Sequence, residues 1–129
     1  MARVLVVDDD PQIRGLLETL VRGCGDEVMT ASGAEEGIEI ARRERPDILV
    51  LDNFMPGMSG IEACARIRAD SVISSAWVIL SSGKWSPDTM RQAYRSGVDD
   101  FLRRPFRLEE LKGKLFNGRQ QRKVKLLPV

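Results

Sequence analysis

Residues 3–11 read Arg3-Val4-Leu5-Val6-Val7-Asp8-Asp9-Asp10-Pro11. Four consecutive apolar residues, three of them valine, leave no polar face, the pattern of a strand buried on both sides. The acids that follow end it, and Asp10-Pro11 opens a helix with an N-cap carboxylate and proline at the first helical position. Ile13, Leu16, Leu17, Leu20 and Val21 then recur at helical spacing until Gly23 and Gly25 break the run.

The same alternation continues outward. Glu27-Val28-Met29-Thr30 reads as a second strand, and Ser32-Gly33-Ala34-Glu35 as a capping box before a helix carrying Ala34, Ile38 and Ala41. Pro46 stops that helix, and Asp47-Ile48-Leu49-Val50-Leu51 is the third strand. Ser59-Gly60-Ile61-Glu62 is a further capping box, and Trp77-Val78-Ile79-Leu80 is the fourth strand. Ser86-Pro87-Asp88 caps a helix that ends at Gly97. Asp100-Phe101-Leu102 is a short fifth strand, and Leu108, Leu111, Leu115 and Phe116 mark a last helix. Five strands alternating with five helices, with no hairpin signal, predict a parallel sheet covered by helices on both faces. At this length an open doubly wound α/β sheet is favoured over a barrel, which needs about twice as many residues. We expect one domain over residues 1–118, followed by a basic tail or linker over residues 119–129.

Composition narrows the chemistry. Of 129 residues, 43% are hydrophobic and 30% charged, which suits a soluble domain with a real core. No apolar stretch approaches the roughly 20 residues that span a bilayer, and the N-terminus does not read as a secretory signal. Cys24 and Cys64 are too few for a disulfide framework, so a reduced, cytoplasmic setting is expected. There is no histidine, which excludes Ser-His-Asp and Cys-His nucleophilic catalysis and His-ligated zinc. Carboxylates, hydroxyls, lysine and arginine remain, a set suited to hard cations and phosphate. Residues 1–102 hold 11 basic and 17 acidic side chains, whereas residues 103–129 hold 9 basic and 2 acidic, an acidic body with a basic end. That basic run has neither a recognition helix nor interleaved aromatics, so direct nucleic-acid binding is not expected.

Ligands of an open α/β sheet bind beyond the carboxyl ends of its strands. The residues predicted there are Asp8 and Asp9, Asp52, Ser81 and Ser82, and Arg103 and Arg104. Three carboxylates in one cleft raise one another's pKa unless a cation sits among them. All-oxygen ligation of that kind suits Mg²⁺. A carboxylate beside Mg²⁺, a hydroxyl and a fixed cation is placed to accept a phosphoryl group.

These residues resemble the receiver domains of bacterial two-component response regulators over about residues 3–117. The resemblance rests on Val6-Val7-Asp8-Asp9, on Leu51-Asp52 followed by Met55-Pro56-Gly57-Met58-Ser59-Gly60, on Ser81-Ser82-Gly83, and on Asp99-Asp100-Phe101 leading to Arg104-Pro105-Phe106. It implies a flavodoxin-like five-stranded sheet of order 2-1-3-4-5. It also implies that Asp52 takes a phosphoryl group from a histidine kinase or phosphotransfer protein, and that Mg²⁺ is held by Asp8, Asp9, Asp52 and the backbone carbonyl of Phe54. Ser82 matches the switch hydroxyl, 22 residues before Arg104, with Ser81 as the alternative. Phe101 matches the aromatic switch. Arg104 stands where the family has lysine, which opens a second reading as a pseudo-receiver that works without phosphorylation. The implied output is a downstream protein, or a second copy, bound on the face of the fourth helix, fifth strand and fifth helix. Phe54 and Lys84 match positions flanking the path of the hydrolytic water. Trp77 reads as core, and Trp85 as a loop residue that either anchors a partner or packs on the fourth helix.

Overall fold

The computed structural model describes residues 1–128. Its elements follow strictly in alternation: β1 Arg3–Val7, α1 Pro11–Gly23, β2 Glu27–Ala31, α2 Ala34–Glu44, β3 Ile48–Asp52, α3 Gly60–Ala69, β4 Trp77–Ser82, α4 Pro87–Arg95, β5 Asp100–Arg103 and α5 Leu108–Lys125. The strands form one parallel sheet in the order β2-β1-β3-β4-β5. The expected fold class and strand order are therefore observed. The chain reverses its direction of growth between β1 and β3, which places the switch-point crevice at the carboxyl ends of these two strands.

Period-two alternation divides each strand between two cores. Leu5, Val7, Leu49, Leu51, Val78 and Leu80 face Ala34 and Ala41 of α2, Ala63, Cys64 and Ile67 of α3 and Ala93 of α4. Val4, Val6, Ile48, Val50, Ile79 and Leu102 face Leu17 and Val21 of α1 and Leu111 and Leu115 of α5. Each buried valine, leucine or isoleucine contributes about 1.5–3 kcal/mol on leaving water, and this double burial makes β1 and β3 continuous apolar runs.

The caps hold the helix starts. The Asp10 carboxylate accepts the amides of Gln12 and Ile13, and Ser59 and Ser86 accept those of Glu62 and Thr89. Gly97, at φ +93°, ends the turn after α4 in the left-handed region that glycine adopts without penalty. One expected cap is replaced: the N-cap of α2 is Gly33, with no side-chain cap, and the Glu36 carboxylate accepts the Ser32 amide instead, at 3.0 Å.

Strand and helix ends also differ from the sequence pattern. β3 begins at Ile48, and Asp47 just before it ties the strand starts together: its amide donates to the Arg3 carbonyl, its carboxylate accepts the Arg3 amide and its carbonyl accepts the Trp77 amide. β4 runs on through Ser81 and Ser82, and β5 through Arg103, so these residues are strand ends rather than loop. The largest difference is at the C-terminus. The stretch expected as a solvated tail continues α5 without a break to Lys125, and Val129 lies outside the described residues. Two contacts account for it. Gly118 packs against Trp77 and Ile48, and Arg119 Nη1 reaches the buried Asp26 Oδ2 at 2.6 Å. The basic character that reads as solvation locally is spent on a buried acid 93 residues away.

Candidate functional site

The parallel register brings the ends of β1, β3 and β4 level. Asp8 follows β1, Asp52 is the last residue of β3, and Asp52 pairs directly with Ser81 of β4. Asp8, Asp9 and Asp52 each offer a carboxylate oxygen, and the three oxygens lie within 4.8 Å of one another. Asp8 and Asp52 are buried and Asp9 is exposed, so the cluster opens to solvent on one side. Asp8 is oriented from both ends: its Oδ1 accepts the Asp10 amide at 2.9 Å, and its backbone carbonyl accepts Arg14 Nη1 at 2.8 Å.

Arg104 enters from the end of β5. Its Nη2 lies 3.0 Å from Asp52 Oδ1 and its Nη1 3.6 Å from Asp8 Oδ2, so the planar fork spans both acids. Burial, with the Asp8 charge adding to it, pushes the Asp52 carboxyl up to about 6; Arg104 and the Phe54 amide oppose the rise. Asp8 is also raised, chiefly by burial.

The loop after β3 is held by a residue that the sequence did not single out. Asn53 is buried; its amide donates to the Ser81 carbonyl at 3.1 Å, its carbonyl accepts Gly60 N–H, and its side-chain oxygen accepts Ile61 N–H at 3.2 Å. Asparagine after a strand is ordinary turn composition, so no local signal marks it. Gly60 has a related part: a Cβ there would collide with the Asp52 carbonyl and with Leu80. Only glycine lets α3 start hard against the end of β3.

The switch candidates are placed as follows. Ser82 is buried, and its hydroxyl accepts the Lys84 amide and donates to the Lys84 carbonyl, both at 3.0 Å. Its carbonyl accepts Trp85 Nε1 at 2.7 Å and the Arg104 amide at 3.0 Å. Phe101 is half-buried between two rings, with Trp85 at 5.1 Å and Tyr94 at 5.2 Å, both edge-on. Trp85 is therefore a packed residue over the α2/α3/α4 core, with the Arg103 guanidinium 5.8 Å from its ring centroid. Phe54 is 54% exposed beside Asp52, with Lys84 Nζ 5.8 Å from its ring centroid. Trp77 is half-buried against the α1/α5 core, as expected.

The donor set passes a simple test for a hard divalent cation. All three candidate ligands are carboxylates, and Asp8 Oδ2 is enclosed with no hydrogen-bond partner.

Residues 4–116 match the family model described as the response regulator receiver domain. The chain belongs to the response-regulator receiver family. Receivers of this family bind Mg²⁺ at an acidic pocket, and this chain carries an acidic cluster of Asp8, Asp9 and Asp52. The DNA-binding response regulator MtrA of Mycolicibacterium smegmatis is 34% identical over 109 residues, 84% of this chain and 46% of that protein. Protein PilH of Pseudomonas aeruginosa is 32% identical over 111 residues, 86% of this chain and 92% of that protein. The receiver thus spans about half the length of MtrA and nearly all of PilH. Among solved structures, chemotaxis protein CheY4 of Vibrio cholerae superposes with a TM-score of 0.87 at 30% identity, covering 91% of this chain and 98% of that one. A receiver domain protein from Methanospirillum hungatei reaches 0.90 at 22% identity, a likeness of fold. No helix among the described residues of this receiver is long and apolar enough to cross a membrane.

Proposed function

We propose that this receiver accepts a phosphoryl group on Asp52 from a histidine kinase or phosphotransfer protein. The observation that carries this reading is the convergence of Asp8, Asp9 and Arg104 on one buried carboxylate. Asp8, Asp9, Asp52 and the Phe54 carbonyl would hold Mg²⁺, which supplies charge neutralisation for the incoming phosphoryl oxygens. Asp52 Oδ attacks phosphorus, and the bond to the donor nitrogen breaks with its electron pair leaving on the donor. Arg104 turns from Asp52 to a phosphoryl oxygen, and Ser82 gives up its bonds to Lys84 to donate to another. Movement of Ser82 also shifts the carbonyl that Trp85 holds, and Phe101 repacks between Trp85 and Tyr94. That rearranges the face of α4, β5 and α5, where a downstream protein or a second copy binds, by population shift between two states. The protein works in this reading as a cytoplasmic signalling domain, its chemistry limited to its own phosphorylation and dephosphorylation.

The double contact of Arg104 with Asp52 and Asp8 favours one rival, a receiver whose pocket is closed by its own guanidinium and which binds partners without phosphorylation. Incubation with Mg²⁺ and acetyl phosphate, followed by intact-mass measurement, separates the two. One added phosphoryl group, lost in Asp52→Asn, supports phosphotransfer. An unmodified wild-type chain supports the closed pocket.

A further inference from the structure

Ser81 is 1% exposed, and its hydroxyl oxygen is enclosed without a hydrogen-bond partner. Buried hydroxyls are nearly always paired, so an orphan of this kind calls for a physical reason. Alternation along β4 sends Ile79 to the α1/α5 side and Val78 and Leu80 to the other, and Leu102 of β5, the ladder partner of Ser81, lies on the α1/α5 side as well. Ser81 therefore continues the Ile79 row and Ser82 the Leu80 row. Asp52 continues the Ile48 and Val50 row, and Asp8 the Val4 and Val6 row, on the α1/α5 side. Ser81 thus shares a face with both acids, and Asp52 is its direct partner in the ladder. Adjacent strands lie about 4.8 Å apart, so same-face side chains are within reach of a hydrogen bond after a change of rotamer. Two more enclosed polar atoms of the same site make no hydrogen bond, Arg104 Nε and Asp8 Oδ2, the latter with only the 3.6 Å ion-pair approach of Arg104 Nη1.

We propose that Ser81 is a positioning residue of the acceptor site, its hydroxyl donating to the Asp52 carboxylate once Arg104 has turned to the phosphoryl oxygens. This rests on the reading of Asp52 as phosphoacceptor. During loss of the phosphoryl group, a water oxygen bonds to phosphorus and the bond from phosphorus to the Asp52 oxygen breaks. Its electron pair returns to the carboxylate, the water's proton passes to solvent, and inorganic phosphate leaves. A donor beside the departing carboxylate stabilises the charge that develops on it. Ser82 serves the phosphoryl oxygens from the opposite face, so the two adjacent hydroxyls divide the work.

The test is the lifetime of the phosphorylated chain. Wild type, Ser81→Ala and Ser81→Thr are loaded with acetyl phosphate and Mg²⁺, the donor is removed, and intact mass is followed with time. Ser81→Ala is expected to keep its phosphoryl group about five-fold longer, the weight of one net hydrogen bond. Ser81→Thr is expected to restore the wild-type lifetime, while Ser81→Ala unfolds in urea no earlier than wild type. Equal lifetimes for wild type and Ser81→Ala, or a Ser81→Thr lifetime as long as that of Ser81→Ala, overturn the role of Ser81. A wild-type chain that takes no phosphoryl group overturns the reading of Asp52 itself, and this proposal with it.

Discussion

Arg104 Nη2 lies 3.0 Å from Asp52 Oδ1, and the same guanidinium reaches Asp8 Oδ2 at 3.6 Å. The fork therefore competes for two of the three carboxylates that would hold a divalent ion. Arg104→Gln is expected to bind Mg²⁺ about ten-fold more tightly than wild type, because one unit of positive charge leaves the site. Arg104→Lys should fall between them, since lysine keeps the charge but cannot bridge both acids. Magnesium titration by calorimetry reads this directly, and identical affinities in all three chains would contradict the competition.

The raised Asp52 carboxyl makes metal-free stability depend on pH. Its pKa is about 6 in the folded chain against an ordinary 3.8. Between about pH 4 and pH 6 the folded chain keeps the proton that the unfolded chain has released. Raising pH through that window therefore costs stability, on the order of 3 kcal/mol from this group when complete. Asp8 shifts in the same direction and adds to the slope. Urea titrations in EDTA at several pH values should show the slope flattened in Asp52→Asn. A wild-type chain that gains stability from pH 4 to 6 relative to Asp52→Asn would reverse the assignment.

Phe54 stands half in solvent next to Asp52, with Lys84 over its ring. A bulky ring at that place obstructs the approach of water to a phosphorylated Asp52. Phe54→Ala is expected to lose its phosphoryl group several-fold faster, measured by intact mass after donor removal. A variant that holds the group as long as wild type would remove Phe54 from the water's path.

Asp26 is buried, and its two oxygens accept the Ala2 amide at 2.9 Å and Arg119 Nη1 at 2.6 Å. Removing the cation leaves a carboxylate with one neutral donor in a nearly dry site. Arg119→Ala is expected to cost about 3 kcal/mol in urea denaturation, and a chain ended at Gly118 at least as much. Loss of less than about 0.5 kcal/mol in both would return residues 119–125 to the role of a solvated tail.

Much of this architecture is written locally. Whether Val4–Val7 is a two-faced strand, or Ile13–Val21 a one-faced helix, depends on the spacing of neighbours a few residues away, and spacing survives without a fold. The same local pattern put Asp8, Asp9, Asp52, Ser82 and Arg104 at strand ends, and the topology of alternating strands and helices carried them to one edge. Partnership is another matter. Arg104 choosing Asp8 as well as Asp52, Asn53 clasping α3, Arg119 turning a basic tail into about two further turns of helix over Asp26, and Ser81 facing the acids while Ser82 faces Lys84 all depend on register and on contacts across as many as 93 residues. Hydrogen bonds and ion pairs act over about 3 Å, so only the packed chain, which sets distances that no spacing in the sequence records, assigns them.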